Sequence, residues 1–149
     1  MIKWKGFAKA DDGIAAIEFA IMGAVLCMTV IAVGDLGMGF YSYMQVQNSA
    51  QAGAQYAAVH GYNSGAISSA VTNATSVAGV SANPAPQQYC GCASGATVSN
   101  VACGTICPDG MTAGTYVSVS AERDYSTLIA WPMFPATYHQ TSNSIVRIQ

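Results

Sequence analysis

An apolar run near the N-terminus constrains this chain more than any other feature. From Ile14 to Gly34, about 21 residues follow one another with Glu18 as the only charged side chain. At ~1.5 Å of rise per residue, a helix of this length matches the hydrocarbon thickness of a bilayer. The sequence therefore predicts a membrane-spanning helix over residues 14–34, with membrane lipid as one of its partners.

The charges that flank this run predict its orientation. Three lysines precede it, namely Lys3, Lys5 and Lys9. No Lys or Arg follows it until Arg123, so the positive-inside rule makes residues 1–13 a short cytoplasmic leader. A cleaved secretory signal is the alternative, but its apolar core would be only about 7–15 residues long, and no convincing small-x-small site lies near Gly34. We expect a single-pass inner-membrane protein whose C-terminal head is periplasmic or extracellular.

The overall composition agrees with export and argues against a nucleic-acid partner. Only 8% of the residues are charged and 52% are hydrophobic, with a net charge of −2. Ordinary soluble domains contain about 25% charged residues. Beyond the leader lysines there is no basic patch that could bind a phosphate backbone. The exported part, roughly 110 residues, is long enough for one small domain with a modest core.

The helical pattern continues past the apolar run. Residues 35–62 contain no proline, and small or apolar side chains recur at three- and four-residue spacing. These positions are Tyr43, Val46 or Gln47, Ala50, Ala54, and Ala57 or Ala58. The sequence therefore predicts one helix from about Ile14 to His60, with an alanine-rich stripe along one side.

Residues 63–149 read as an α+β head. Gly61 to Gly65 break the first helix, and Ser64 is a candidate N-cap for a second helix that runs to about Ala78. Alternating patterns and turn residues then predict strands over residues 88–93, 96–102, 115–122 and 144–149. We expect a pilin-like architecture: a long N-terminal transmembrane helix that extends into a small helix-plus-antiparallel-sheet head.

Four cysteines of the head are candidates for disulfide bonds. Cys90, Cys92, Cys103 and Cys107 lie within 18 residues of one another, in a compartment that oxidises thiols. A bridge between Cys90 and Cys92 would close an unusually small ring. The plausible pairings are therefore Cys90–Cys107 with Cys92–Cys103, or Cys90–Cys103 with Cys92–Cys107. We favour the first, nested pairing because it suits an antiparallel hairpin.

The same cysteines could instead bind zinc, since C-x-C and C-x₃-C resemble ligand pairs. Their spacing departs from the usual C-x₂-C, and export favours oxidation, so we expect no metal site and no cofactor. Cys27 lies alone in the apolar run and is best read as a small apolar residue at a helix contact.

The start of the apolar run carries a processing motif. The stretch Gly13-Ile14-Ala15-Ala16-Ile17-Glu18-Phe19 follows a short basic leader and matches the prepilin-peptidase motif. Two further stretches, Asp35-Leu36-Gly37-Met38-Gly39-Phe40-Tyr41 and Gln47 to Ala58, add to this likeness. Over residues 7–60 the chain resembles the TadE-like family, the pseudopilins or minor pilins of the bacterial tight-adherence (Flp pilus) machinery.

This resemblance implies cleavage between Gly13 and Ile14 by a membrane-embedded prepilin peptidase, followed by participation in pilus assembly. It assigns Glu18 and Phe19 to processing and assembly, and it makes other pilin-like subunits and inner-membrane assembly proteins the partners. The residues give independent reasons. Gly13 lets the backbone enter a protease cleft in an extended form, and Glu18 could pair with the new amine of Ile14 or of a neighbouring subunit.

The apolar run also carries a stripe suited to close approach of another helix. Ala16, Ala20 and Ala24 recur at every fourth residue, which is a small-xxx-small pattern. We expect these alanines to pack against neighbouring helices in the membrane or in a filament.

Two other classes of function remain to be weighed. An enzyme would have to draw on His60, His139, Asp109, Glu122 and Asp124, none of which forms a recognised catalytic motif. We therefore expect no enzymatic activity, and we expect both histidines to be exposed.

A membrane-anchored binding or adhesin module is the more serious alternative. Its candidate contact residues are Tyr116, Tyr125, Trp131 and Phe134, although we expect these aromatic side chains to belong to the core of the head. Within the pilus machinery, a TadF-like role is the closest competitor.

Overall fold

The computed structural model describes residues 11–95, 97–129 and 135–148. The chain divides into two compact units, Met1–Met38 and Gly39–Gln149, which we describe separately. The leader lysines and the aromatic residues Trp131 and Phe134 lie outside the described residues.

Helix α1 comprises Asp11–His60. It begins three residues before the predicted start at Ile14 and ends at His60, as predicted. Gly61 ends it because this residue adopts φ +78°, a left-handed conformation that suits glycine, while its N–H still bonds to the carbonyl of Ala57 at 2.9 Å. Within this helix, residues 14–34 form the apolar run and residues 39–60 belong to the second unit.

Helix α2 comprises Ser64–Asn73 and is shorter than predicted. Its N-cap is Asn63 and not Ser64, because the Asn63 side chain accepts the N–H of Ala66 at 3.1 Å. The predicted end near Ala78 is also wrong. The Thr75 hydroxyl accepts the N–H of Val77 and donates to Gln45 of α1, so local side-chain bonds replace the helical ones after Asn73.

Four antiparallel strands form one sheet. They are β1 (Gln87–Ser94), β2 (Thr97–Asn100), β3 (Gly114–Ser126) and β4 (Thr137–Arg147), and their order across the sheet is β2-β1-β3-β4. The α+β fold class is therefore confirmed. Strands β3 and β4 are longer than predicted, because they pair with each other without interruption from Tyr116↔Arg147 to Ser126↔Thr137. Within β4, the burial pattern alternates only between half-buried and exposed residues from His139 onward, and no residue is fully buried, which weakens the pattern in the sequence.

The core of the second unit lies between α1, α2 and β3. It contains the predicted alanine stripe, with Val46, Ala50, Ala54 and Ala57 all buried. Tyr43 is exposed, so the stripe starts at the buried Ser42 and not at the predicted tyrosine. The closest approach is at Gly53, where an added Cβ would lie 2.5 Å from Val71 Cγ2 of α2 and 2.8 Å from Val119 Cγ1 of β3.

Two disulfide bonds fix the segment that follows β2. They join Cys90 to Cys103 and Cys92 to Cys107, so two disulfides are confirmed, but the nested pairing that we favoured is wrong. A nested pairing would follow if residues 92–107 formed a single hairpin. The chain instead reverses a second time after β2, where the N–H and hydroxyl of Thr105 both bond to the carbonyl of Ala102. Because Cys90 and Cys92 lie on the same face of β1, the returning segment meets them in the order Cys103, then Cys107.

Candidate processing and assembly segment

The side chains of the apolar run are mostly exposed. Ile14 is 64% exposed and Phe19 is 79% exposed, and the most apolar part of the helix is entirely unburied. Helix α1 is long and apolar enough to cross a membrane. A surface of this composition is unfavourable in water, which fits a single-pass membrane helix.

The predicted scissile bond lies in the first turns of α1. Gly13 is helical, and no heavy atom lies within 4 Å of the position that its Cβ would occupy. A protease needs an extended backbone, so cleavage between Gly13 and Ile14 requires these first turns to unwind. The unwinding would cost little here, because the residues lie close to the start of the helix.

The acidic side chain and the small-residue stripe lie on different sides of the apolar run. Glu18 is exposed, as are Ala16, Ala20 and Ala24. At 3.6 residues per turn, Glu18 points about 160° away from both Ala16 and Ala20. Gly23 and Cys27 follow the alanines on the stripe side, which leaves a strip of small side chains along the helix. The acidic side chain and the strip of small side chains therefore lie on opposite sides of this segment.

A comparison with protein-family models finds a likeness over this segment. Residues 13–55 match the model described as TadE-like protein. The N-terminal segment is therefore similar to TadE-like proteins. The resemblance read from the sequence is thereby confirmed for residues 13–55. No curated protein and no solved structure matches the chain.

The matched segment, residues 13–55, contains the glycine of the processing motif, the apolar run and part of the core of the head. Its first matched residue is Gly13, the glycine of the processing motif. Its last part includes Val46, Ala50 and Ala54, which are buried in the second unit. The sheet and both disulfides lie outside the match. The likeness is therefore confined to helix α1, including the residues with which it packs into the core of the head.

The head places the other predicted residues apart from this segment. Tyr116 is buried and Tyr125 is half-buried beside Gly39, so neither offers the exposed aromatic surface that a binding module would use. His60 is exposed and stacks on Tyr56 at 4.3 Å between ring centroids. All four cysteines of the head are consumed in disulfides, which leaves no thiolate for zinc. Among the described residues, no group of three or more His, Cys, Asp or Glu is arranged to hold a metal ion.

His139 lies in a cluster with two carboxylates, Asp124 and Glu122. Its Nδ1 lies 2.7 Å from Asp124 Oδ1 and its Nε2 lies 3.5 Å from Glu122 Oε2. The hydrogen bond to Asp124 is the main reason that the pKa of His139 is raised above its usual value, and the charges of both carboxylates raise it further. The cluster lies on the exposed face of β3 and β4, and no nucleophile contacts it among the described residues, so it does not resemble a catalytic site.

A polar network that the sequence analysis missed ties α1 to the sheet. Ser42 is buried, and its hydroxyl donates to Gln140 Oε1 at 2.6 Å while accepting from Arg123 Nη1 at 2.7 Å. The Gln140 amide also donates to the carbonyl of Gly39 at 3.0 Å. Ser42 is 81 positions from Arg123 and 98 positions from Gln140 in the chain, so no local pattern could have connected them.

Proposed function

We propose that this protein is a minor pilin-like subunit of a tight-adherence pilus. In this proposal a prepilin peptidase cleaves the chain between Gly13 and Ile14, and the mature protein then takes part in pilus assembly in the inner membrane. The observation that carries the proposal is the TadE-like match, which starts at Gly13 and runs through the whole exposed apolar run. In this proposal the function of the subunit is structural.

The exposed helix supports this role. A helix whose apolar side chains are mostly exposed must be covered by lipid before assembly and by other helices after it. The strip that begins with Ala16 and Ala20 allows another helix to approach closely, since small side chains keep the two backbones near each other. Other pilin-like subunits are the partners that such a surface fits.

Glu18 supplies the acidic group in the proposed contact with a neighbouring subunit. An acidic side chain near the centre of a membrane helix costs about 2.5–3.5 kcal/mol, and less near the edge, so it favours a nearby positive charge. Cleavage would create such a charge at the amine of Ile14, four residues away and so one helical turn from Glu18. The same amine of a neighbouring subunit is an equivalent partner. Glu18 therefore couples cleavage to subunit contact.

The proposed topology follows from the leader. Its lysines hold residues 1–13 in the cytoplasm, where the peptidase and the inner-membrane assembly proteins would reach Gly13. The head, with its two disulfides, then lies on the oxidising side of the membrane.

The deciding experiment is intact-mass and N-terminal analysis of the membrane-extracted protein, from cells with and without the prepilin peptidase. We expect a mature terminus at Ile14 that depends on the peptidase. A terminus at Met1 in both strains would favour the alternative, an anchored binding or adhesin module outside any filament. Cleavage near Gly34 would indicate a soluble exported domain, and either of these results would refute the proposal.

Two variants separate processing from assembly. Gly13→Leu should block cleavage, because the side chain hinders entry of the backbone into the protease; Gly23→Leu, ten residues further along the same helix, is the matched control and should be cleaved normally. Glu18→Gln keeps the size of the side chain and removes its charge, so it should be cleaved but should impair piliation, while Glu18→Asp should retain part of the function. If Gly13→Leu and Glu18→Gln both leave processing and piliation unchanged, the proposal is wrong.

A further inference from the structure

The exposed side of α1 changes in composition part-way along residues 39–60. The opposite side of this stretch carries the buried alanine stripe. The first exposed residues include three large apolar side chains, which we call the apolar patch: Phe40 is 69% exposed, Tyr41 53% and Met44 52%. From residue 45 to residue 58, every exposed residue is polar or alanine, namely Asn48, Gln51, Gln55 and Ala58. The exposed side therefore changes from apolar to polar between Met44 and Asn48, within little more than one turn.

The two parts of this side lie on one face of a regular helix. Seven residues make almost two turns, so Met44 and Gln51 differ by only about 20° around the axis, and so do Tyr41 and Asn48. Ser42 lies between the residues of the patch in sequence but is buried, because it points toward the head. The change in composition is therefore a change along the helix and not a rotation around it.

The face that carries the patch is uncharged. Residues 19–59 contain a single charged side chain, Asp35. Asp35 is only 5% exposed, and it lies about 140° around the helix from Phe40. Its carboxylate is therefore not part of this face, and contact between the patch and lipid would not bury a charge.

The position of the patch along the helix matches the edge of a bilayer. A hydrocarbon core of about 30 Å takes up about 20 helical residues. Counted from Glu18, whose charge costs least at the edge of the core, twenty residues end at Met38. Tyr41 follows after ~5 Å of helix and Met44 after ~9 Å, whereas Asn48 follows only after ~15 Å. Each interfacial layer is about 5–8 Å thick, so the patch falls within this layer or at its outer limit and Asn48 falls beyond it.

We propose that the apolar patch lies in the membrane–water interface, where it contacts phospholipid headgroups and the adjoining acyl chains. Lipid then covers this face of α1 through to Met44, ten residues beyond the predicted end of the span at Gly34. This inference goes beyond the proposed function, because it rests on the apolar run crossing a membrane and not on cleavage or pilus assembly.

The chemistry of the patch favours lipid over another protein as its partner. Aromatic side chains concentrate at membrane interfaces, and a tyrosine places its ring among apolar groups and its hydroxyl in the polar layer. A bilayer also ends at one plane, so it leaves the same helix face polar at every position beyond that plane. Asn48, Gln51 and Gln55 follow this pattern.

The experiment measures lipid contact in the full chain, reconstituted alone in phosphatidylcholine vesicles. Cys27 is a free, exposed thiol, so all variants are made in a Cys27→Ala background. An environment-sensitive fluorophore is attached to Met44→Cys or, as the matched control on the same face, to Gln51→Cys. Part of the phosphatidylcholine carries a nitroxide on its headgroup, which quenches fluorophores in the interface. We expect quenching to be at least about threefold stronger at position 44 than at position 51, because only the first lies at interfacial depth.

A second pair of variants covers the case in which the label at position 44 disturbs the head. Peptide mapping of Cys90–Cys103 and Cys92–Cys107 reports whether the head is folded. If these bonds are lost in labelled Met44→Cys, the pair Tyr41→Cys and Asn48→Cys replaces the first pair, and the same ratio is expected.

Three results would overturn the proposal. Equal quenching at the two positions of a pair would mean that lipid contact does not end between them. A weaker signal at position 44 than at position 51 would reverse the predicted depth. A fluorophore at position 44 with blue-shifted emission but without nitroxide quenching would be covered by protein, such as a second copy of this chain. The vesicles contain neither peptidase nor other subunits, so none of these results bears on the proposed processing and pilus assembly.

Discussion

Replacing Ser42 with alanine tests how α1 is fastened to the sheet within residues 39–149. The Ser42 hydroxyl makes a neutral bond to Gln140 and a charge-assisted bond from Arg123. Typical net values are about 1 kcal/mol for the first and about 1.5–3 kcal/mol for the second. Part of this is offset by the higher helix propensity of alanine, about 0.5 kcal/mol. We expect Ser42→Ala to lower the free energy of unfolding by about 2 kcal/mol.

Ser49 provides a matched control on the same helix. It lies two turns further along α1 and is equally buried, but among the described residues its hydroxyl has no hydrogen-bond partner. Ser49→Ala gains the same helix propensity and removes an unsatisfied polar group, so it should raise the free energy of unfolding by about 1 kcal/mol. The two substitutions remove the same oxygen atom, and their effects should nevertheless differ by about 3 kcal/mol.

The assay is urea unfolding of the full chain in detergent, with the disulfides intact, followed by near-ultraviolet circular dichroism of the tyrosines. This signal reports on the head, whereas far-ultraviolet signal would be dominated by α1. Equal effects of Ser42→Ala and Ser49→Ala would refute the reasoning, because the network would then contribute nothing beyond helix propensity. A Ser42→Ala variant with a higher free energy of unfolding than the parent chain would refute the reasoning more strongly.

Three further predictions concern the core, the cysteines and the histidine. Gly53→Ala should destabilise the head by about 1–2 kcal/mol, because its Cβ would overlap Val71 and Val119. Gly65→Ala in α2 should instead stabilise the head by about 0.5 kcal/mol. Urea unfolding of both variants measures the difference between their free energies of unfolding. Peptide mapping without reduction should recover Cys90–Cys103 and Cys92–Cys107, and replacing both Cys92 and Cys107 by serine should cost about 3 kcal/mol, since that bridge closes a loop of sequence separation 15. Because the pKa of His139 is raised in the folded state, its contribution to stability is fully present below about pH 6.5 and is lost as the pH rises through the raised pKa. The difference in thermal stability between the parent chain and His139→Gln should therefore shrink from acidic to alkaline pH. A difference that stays constant with pH would contradict this assignment.

The apolar run and its processing motif could be predicted from the sequence because their signals are local. A run of apolar residues, a glycine before it and a single acid within it lie inside about 20 consecutive positions, and the family comparison matches the same segment. The end of α1 at His60 was equally readable, since a left-handed glycine follows directly. The alanine stripe could be predicted because helical periodicity repeats every 3.6 residues regardless of what it packs against.

Tertiary structure decided the features that depend on distant parts of the chain. The cysteines alone allow either pairing, and only the second reversal after β2 selects Cys90–Cys103 with Cys92–Cys107. The full length of β4 and its place at the sheet edge follow from pairing with β3, not from any pattern within residues 137–147. The bonds of Ser42 to Arg123 and Gln140 join residues far apart in sequence. Periodicity and capping act over a few residues and are therefore visible in sequence, whereas strand order, register and long-range hydrogen bonds are determined only when the chain folds.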